Sequence, residues 1–247
     1  MYGDTFDRLF DLGRAALLAG SHQCETPPAD GAARYGLSVV LRPDPAAAAR
    51  LAEVGAEAAG FAGGGHWPSG DADLVHFTVR SLERHRESVP AGDPAVRRYA
   101  AALDRAARGK IRLRLAGLTL TPVSVMACAW PCDDAADEFA TTLEAALGED
   151  GGYENGERDI WYANVLHFAG PVADPAGLVD WVTRRRTLDL GETTVDTAEL
   201  CQWVPDPRRP APLVLASTRL DADGAPPEGG TPSTSAAHLT IDSRGRR

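Results

Sequence analysis

Two segments built around a His-Phe pair constrain the fold of this chain more than any other feature. HFTV occupies residues 76–79 and HFAG occupies residues 167–170. In the first segment apolar residues alternate with His76 and Thr78, which is the period of two expected of a strand with one buried face. Each segment follows a strand-and-helix unit or its equivalent and precedes a helix. The pattern therefore predicts two comparable lobes, joined near residue 120.

Helices and strands are predicted along the rest of the chain from apolar periodicity, N-cap residues and glycine or proline punctuation. The predicted helices span residues 4–20, 44–60, 93–108, 133–147 and 174–186. The predicted strands span 35–43, 71–82, a pair within 110–130 around Gly117 and Pro122, 160–172, 193–204 and 212–220.

The domain organisation follows from composition. The 247 residues are 44% hydrophobic and 24% charged, which is typical of a globular chain. Residues 1–34 are predicted to be an N-terminal helix and linker, and residues 35–220 a bilobal domain. Residues 221–247 are rich in Gly, Pro, Ser and Thr, and we expect a disordered tail because they offer too little apolar surface to offset the entropy of ordering.

Charge and hydropathy exclude several classes of partner. Acidic residues outnumber basic ones 35 to 25, and the formal charge of −10 argues against a long nucleic-acid duplex. No run of 18 apolar residues occurs, and charged residues interrupt the first twenty positions. We therefore expect a monomeric, cytoplasmic protein without a membrane partner. The four cysteines are expected to be reduced, since they are too scattered for a disulfide framework.

The two histidine segments resemble those of the two-histidine (2H) phosphoesterase superfamily, which contains bacterial 2′-5′ RNA ligase-like proteins and cyclic nucleotide phosphodiesterases. The resemblance covers about residues 35–220. It rests on the His-x-Thr-x motif at His76, on the intervening LRLAGLTLTPVSVMACAW run with its helix, and on a histidine motif about ninety residues later. It implies an α+β fold of two pseudo-symmetric lobes, with antiparallel sheets facing a central cleft and helices outside.

The resemblance also implies roles for individual residues. His76 and His167 would be the acid/base pair, and Thr78 would contact the phosphate. Histidine suits both tasks because its pKa near 6.5 makes both protonation states available around neutrality. Such chemistry requires no metal and no cofactor.

Ala169 departs from the motif, because it stands where a second hydroxyl is expected. Loss of a hydrogen bond to a charged group predicts a penalty of about ten- to a hundredfold. A backbone N–H near Gly170 could substitute, the substrate could differ from a cyclic phosphate, or the cleft could bind without catalysis.

Other polar and aromatic residues have both functional and structural interpretations. Tyr162 is a candidate for stacking on a nucleobase and Arg114 for contacting the substrate, although rim packing and edge-strand protection also explain them. His22, His66 and His85 are interpreted as surface residues. A further His-x-Thr motif at His238 lies in the tail and could compete with His167 for the second role. The spacing of Cys128 and Cys132 does not predict a metal site.

The sequence therefore predicts a metal-independent phosphodiesterase or 2′-5′ RNA ligase-like enzyme. Its substrate would be a small nucleotide or an RNA terminus with a cyclic phosphodiester. A non-catalytic protein that binds nucleotides or other phosphorylated ligands is the alternative, motivated by Ala169. A third possibility is an interaction protein in which both histidines are structural.

Overall fold

The computed structural model describes residues 2–69, 74–154, 160–204, 206 and 209–220. Within these residues it contains five α-helices and nine β-strands. The helices are α1 (Tyr2–Leu18), α2 (Pro45–Ala62), α3 (Pro94–Ala106), α4 (Ala135–Leu147) and α5 (Pro175–Thr183). The strands are β1 (Ser38–Leu41), β2 (Trp67–Pro68), β3 (Phe77–Ser81), β4 (Ile111–Leu120), β5 (Ser124–Pro131), β6 (Trp161–His167), β7 (Asp189–Val195), β8 (Thr197–Val204) and β9 (Ala211–Arg219).

The strands form one antiparallel sheet in two halves. Its order is β7-β4-β5-β6-β3-β1-β8-β9, and the short β2 pairs with β6. The first four strands make one half and the last four make the other. The halves meet where β3 pairs with β6 through Phe77 and Ala163. This arrangement confirms the predicted α+β class and places the two histidine segments at the seam between the halves.

The main hydrophobic core covers one face of both halves. Phe77 and Ala163, the residues at the seam, are fully buried in it, together with Leu51 of α2 and Leu143 of α4. A separate cluster forms where Phe6 of α1 packs with Cys128 of β5, and Tyr162 packs against it. Because Tyr162 also lines the cavity described below, this second cluster lies beside that cavity.

Local signals explain most element boundaries. Asp44 caps α2, as expected of an Asp-Pro start, because its carboxylate accepts the N–H of Ala47 at 2.9 Å. Gly117, expected at a break between strands, lies inside β4. Its φ of 89° and the N–H that it donates to Leu188 belong to a bulge, where a Cβ would meet the Arg186 carbonyl at 2.4 Å.

The prediction of a single strand over residues 193–204 is wrong. This stretch contains the end of β7 and the whole of β8, with Asp196 between them. The two strands lie at different places in the sheet: β7 pairs with β4, and β8 pairs with β1 and β9. Only Asp196 separates the two strands, and their change of partner depends on pairing with distant segments, which no local periodicity reports.

Residues 19–36, which we call the N-terminal strap, connect α1 to β1 and touch both halves. The N–H of Glu25 donates to the carbonyl of Phe168, directly after β6. Farther along, Gly31 and Ala32 exchange backbone hydrogen bonds with His85, beyond β3. The strap thus crosses the seam between the two halves and is hydrogen-bonded to both of them.

The predicted tail, residues 221–247 with the motif at His238, lies outside the described residues. None of the described helices is long and apolar enough to cross a membrane.

Candidate active site

A cavity of about 230 Å³ opens at the seam between the two halves of the sheet. Both halves and the strap contribute to its wall. The lining residues are Ala33, Arg34, Tyr35, Ser38, Trp67, Pro68, Ser69, Leu74, His76, Thr78, Ser81, Glu154, Tyr162, Asn164, His167, Trp203, Arg209 and Pro210.

His76 immediately precedes β3 and shares the cavity face with Thr78. Its Nδ1 lies 2.7 Å from the Leu74 carbonyl oxygen. Because a carbonyl can only accept a hydrogen bond, this contact assigns the proton of the neutral ring to Nδ1 and the lone pair to Nε2. The ring packs against Trp203, with the ring centroids 4.8 Å apart. His76 is thus oriented by its own backbone on one side and by an aromatic ring on the other.

A bulge in β6 brings His167 onto the same cavity. The pairing with β5 passes from Asn164 to Leu166 in one step, so Val165 is an extra residue on β6. Tyr162 and Asn164 line the cavity, and without the bulge the alternation would continue at residue 166. The inserted residue moves the cavity face to His167, whose side chain is 13% exposed.

The electrostatic surroundings of His167 favour its neutral form. Burial lowers the pKa of His167 to about 3, and the positive charges of Arg34 and His76 contribute in the same direction. Its Nδ1 lies 3.8 Å from Oε1 of Glu25 in the strap. Burial raises the pKa of Glu25, and the guanidinium of Arg34, 2.7 Å away, opposes that shift.

Aromatic side chains form one wall of the cavity. Tyr35 packs edge-on against Trp67 and Trp203, with centroid distances of 6.2 and 6.4 Å. Its backbone has a φ of 62°, in the left-handed region that residues other than glycine rarely adopt. Such a conformation persists where the surrounding structure enforces it, and here the Tyr35 ring is packed against the two tryptophans.

Four of the five predicted site residues meet in this cavity: His76, Thr78, Tyr162 and His167. Arg114 does not line it. Arg114 lies on β4, inside the sheet between β5 and β7, and its exposed guanidinium is 3.4 Å from Asp189. The prediction that Arg114 contacts the substrate is not supported by this placement, nor does it protect a sheet edge.

Two histidines interpreted as surface residues are buried. His66 is 7% exposed and His85 is 1% exposed. Nδ1 of His66 accepts the N–H of Ala169 at 3.2 Å, and Nδ1 of His85 lies 2.9 Å from the Tyr35 carbonyl oxygen. Both rings therefore hold backbone segments around the cavity without lining it. The sequence did not indicate this role, because a buried histidine and an exposed one have the same sequence signal.

The position of Ala169 limits what can replace the missing hydroxyl. Ala169 is not part of the cavity wall, and its N–H is already bonded to His66. Ser69 does line the cavity, and its N–H donates to the Val165 carbonyl on β6. A hydroxyl-bearing residue of the segment after β2 thus lies in the cavity wall.

Sequence reasoning missed the residues that irregular segments and the two-residue strand β2 contribute. Arg34 and Tyr35 come from the strap, and Trp67 comes from the glycine-rich stretch after α2. Such segments carry no periodicity, so only long-range packing places them. Within the described ranges, no group of three or more His, Cys, Asp or Glu side chains is arranged to hold a metal ion.

The architecture is similar to that of several solved structures. Escherichia coli LigT complexed with 3′-AMP has a TM-score of 0.57 and 15% identity, with coverage of 75% of this chain and 98% of that chain. TT0787 of Thermus thermophilus has a TM-score of 0.53 and 21% identity, covering 74% and 97%. A structure described as a phosphoesterase has a TM-score of 0.53 and 14% identity, covering 76% and 98%.

No protein-family model and no curated protein matches the chain. At identities of 21% or less, the likeness to these structures establishes the fold. This chain therefore has the fold of LigT, TT0787 and the phosphoesterase structure, as its resemblance to the 2H phosphoesterase superfamily predicted.

Proposed function

We propose that this chain is a phosphodiesterase or 2′-5′ RNA ligase-like enzyme that uses two-histidine acid/base catalysis. One observation carries the proposal: His76 and His167, from opposite halves of the sheet, line a single cavity. Their rings are close enough for the charge of His76 to affect the pKa of His167. Two imidazoles on either side of one phosphodiester can take a proton from the nucleophile and give one to the leaving oxygen.

The surroundings of the two rings suggest how the roles divide. Because burial lowers the pKa of His167, the free protein holds it unprotonated, which is the form that a general base needs. His76, with its Nδ1 proton held by the Leu74 carbonyl, is the general acid through a second proton on Nε2. In hydrolysis of a cyclic phosphodiester, His167 would remove a proton from water as the water oxygen forms its bond to phosphorus. His76 would protonate the ribose oxygen as its bond to phosphorus breaks.

Hydroxyl and guanidinium groups of the wall are the proposed phosphate contacts. The hydroxyl of Thr78 projects to the face of His76, and Ser69 takes the place of the hydroxyl that Ala169 lacks. Arg34 supplies a positive charge at the cavity. Donors preorganised around a phosphoryl group stabilise the charge that develops on its oxygens. No step in this scheme requires a metal.

The aromatic wall and the cavity size support a small nucleotide or an RNA terminus as the substrate. Tyr162, which is partly exposed and lines the cavity, is the residue on which a base can stack. LigT has been crystallised with 3′-AMP, with ATP and with NADP+, so ligands of this size suit the fold. A monomeric, cytoplasmic enzyme without a duplex partner stays a prediction.

A non-catalytic protein that binds nucleotides is the second candidate. It is favoured by Ala169, which leaves the second lobe without its motif hydroxyl. Such a protein would keep the cavity and its aromatic wall but would not turn over substrate.

Phosphorus NMR with 2′,3′-cyclic nucleotides tests the proposal. We expect wild type to convert the cyclic phosphate to a monoester. His76→Ala and His167→Ala should each lose turnover by about a hundredfold or more, because each removes one proton-transfer group.

His22→Gln is the matched control, since His22 lies outside the cavity and contacts the Gly170 carbonyl. Its turnover should stay within about threefold of wild type. Ligand binding without turnover in wild type would favour the second candidate. Turnover that survives both alanine variants would contradict the proposed mechanism.

A further inference from the structure

The N-terminal strap places a buried carboxylate behind His167. The N–H of Glu25 donates to the Phe168 carbonyl at 2.6 Å, which anchors Glu25 to the residue that follows His167. The side chain of Glu25 is only 7% exposed. An acidic residue is rarely buried to this degree unless it is paired. The strap therefore holds an anchored, desolvated carboxylate at one side of the cavity.

The contacts of this carboxylate are incomplete. Its Oε1 lies 2.7 Å from Nη2 of Arg34 as an ion pair and 3.8 Å from Nδ1 of His167. Within the described part of the chain, neither Glu25 Oε1 nor His167 Nδ1 has a hydrogen-bond partner, although both atoms are buried. A buried donor and a buried acceptor that face each other are expected to pair. Shortening by about 1 Å would turn this contact into a hydrogen bond.

We propose that Glu25 is a positioning residue for His167: its carboxylate accepts the Nδ1–H of the ring and leaves the lone pair on Nε2 for the substrate. The inference rests on the proposed role of His167 as a general base. Burial raises the pKa of Glu25, and the guanidinium of Arg34 and the hydrogen bond with Tyr35 oppose that shift and favour the charged carboxylate.

The charged and titratable groups around the ring support this assignment. Arg34 of the strap and His76 of the other half both disfavour a positive charge on His167. Glu25, whose Oε1 lies 3.8 Å from the ring Nδ1, is an acidic group beside the ring. When His167 takes a proton from the nucleophile, the carboxylate would offset the charge that forms. Glu25 would thus act mainly on the chemical step and little on substrate binding.

Steady-state kinetics of Glu25→Gln with a 2′,3′-cyclic nucleotide test this role. The amide keeps the shape of the side chain but cannot stabilise an imidazolium. We expect kcat to fall about ten- to a hundredfold while KM changes less than about threefold. Asp30→Asn is the matched control, because Asp30 is an exposed carboxylate of the same strap, bonded to the N–H of Glu87. It should leave both parameters unchanged.

Ring nitrogen-15 NMR gives a measurement that does not depend on turnover. In wild type and in Asp30→Asn, neutral His167 should carry its proton on Nδ1. In Glu25→Gln we expect the shifts to move toward the Nε2–H tautomer, because an amide can also donate to Nδ1. Circular dichroism checks that each variant is folded. If Glu25→Gln does not fold, Glu25→Asp withdraws the carboxylate by one methylene and should lower kcat while KM is kept.

Unchanged His167 shifts and kcat in a folded Glu25 variant would overturn the inference. If His167→Ala keeps full turnover, the proposed function fails instead. The tautomer of His167, compared between wild type and Glu25→Gln, still decides whether Glu25 positions the ring.

Discussion

At the scale of single residues, burial controls the protonation of His167. In the folded protein its pKa is about 3, against an ordinary value of 6.5. Between these two values the unfolded chain binds a proton at this position and the folded chain does not. The free energy of unfolding therefore falls as the pH falls from about 6.5 towards 3, and the contribution of His167 is fully present above that window.

We predict that replacing His167 removes this acid sensitivity. Between pH 6 and pH 4, wild type should lose about 1 kcal/mol of stability per pH unit more than His167→Gln does. Urea denaturation at several pH values, followed by circular dichroism, measures the difference. His167→Asn should behave like His167→Gln. Parallel stability curves for wild type and both variants would show that His167 is not held neutral by folding.

At the scale of elements, the junction of the strap with β1 depends on close backbone packing. Gly36 lies there, two residues before β1. A Cβ at this position would lie 1.7 Å from the carbonyl oxygen of Glu83, which is backbone and cannot rotate away. Tyr35 next to it already has a φ of 62°. The path of the strap into the sheet thus requires glycine at position 36 for lack of space.

We predict that Gly36→Ala destabilises the protein by about 1 to 3 kcal/mol, because the strap must move away from Glu83. The control is Gly64→Ala, where no atom lies within 4 Å of the added methyl group. That substitution should change the free energy of unfolding by less than about 0.5 kcal/mol. Urea midpoints compare the two. Equal stabilities would mean that the strap adjusts without cost.

The type of each element could be predicted where the local pattern is strong. The helix after Asp44 begins as expected, since an Asp cap followed by proline acts within one turn. The stretch over 193–204 was not divided into β7 and β8, because a single residue, Asp196, separates the strands and no glycine or proline marks the break. Their partners, β4 and β1, lie in different halves of the sheet.

At the scale of the whole molecule, both halves of the sheet share one hydrophobic core. The core cluster includes Phe77 from one half, Leu115 from the other, and apolar residues of α2, α3, α4 and α5. Residues that pack together lose their burial together when either half opens. We infer that neither half is stable without the other, although they comprise separate sets of strands.

We predict a single cooperative unfolding transition, with tryptophan fluorescence and circular dichroism giving coincident curves. Phe77→Ala should lower stability by about 3 to 5 kcal/mol, because Phe77 is fully buried at the seam. Leu213→Ala is the control, since Leu213 is 50% exposed, and it should have an effect below about 0.5 kcal/mol. Two separate transitions would show that the halves fold independently.

The candidate site separates what local pattern and tertiary packing each determine. The alternation around HFTV by itself determined that His76 and Thr78 share a face, because side chains two residues apart in a strand point the same way. The same rule predicts that the side chain of residue 167 points into the core, on the same face of the strand as the apolar side chains of Trp161 and Val165. Only the bulge in β6 decided that it faces the cavity.

The surroundings of Glu25 and Arg114 were likewise determined by the tertiary structure. The strap folds back across the seam and brings Glu25 to His167, whereas Arg114 is held on β4, where its guanidinium pairs with Asp189. Periodicity reports the orientation of a side chain within its own element. The element that it meets depends on pairing between distant segments, and that pairing is governed by the packing of the whole sheet.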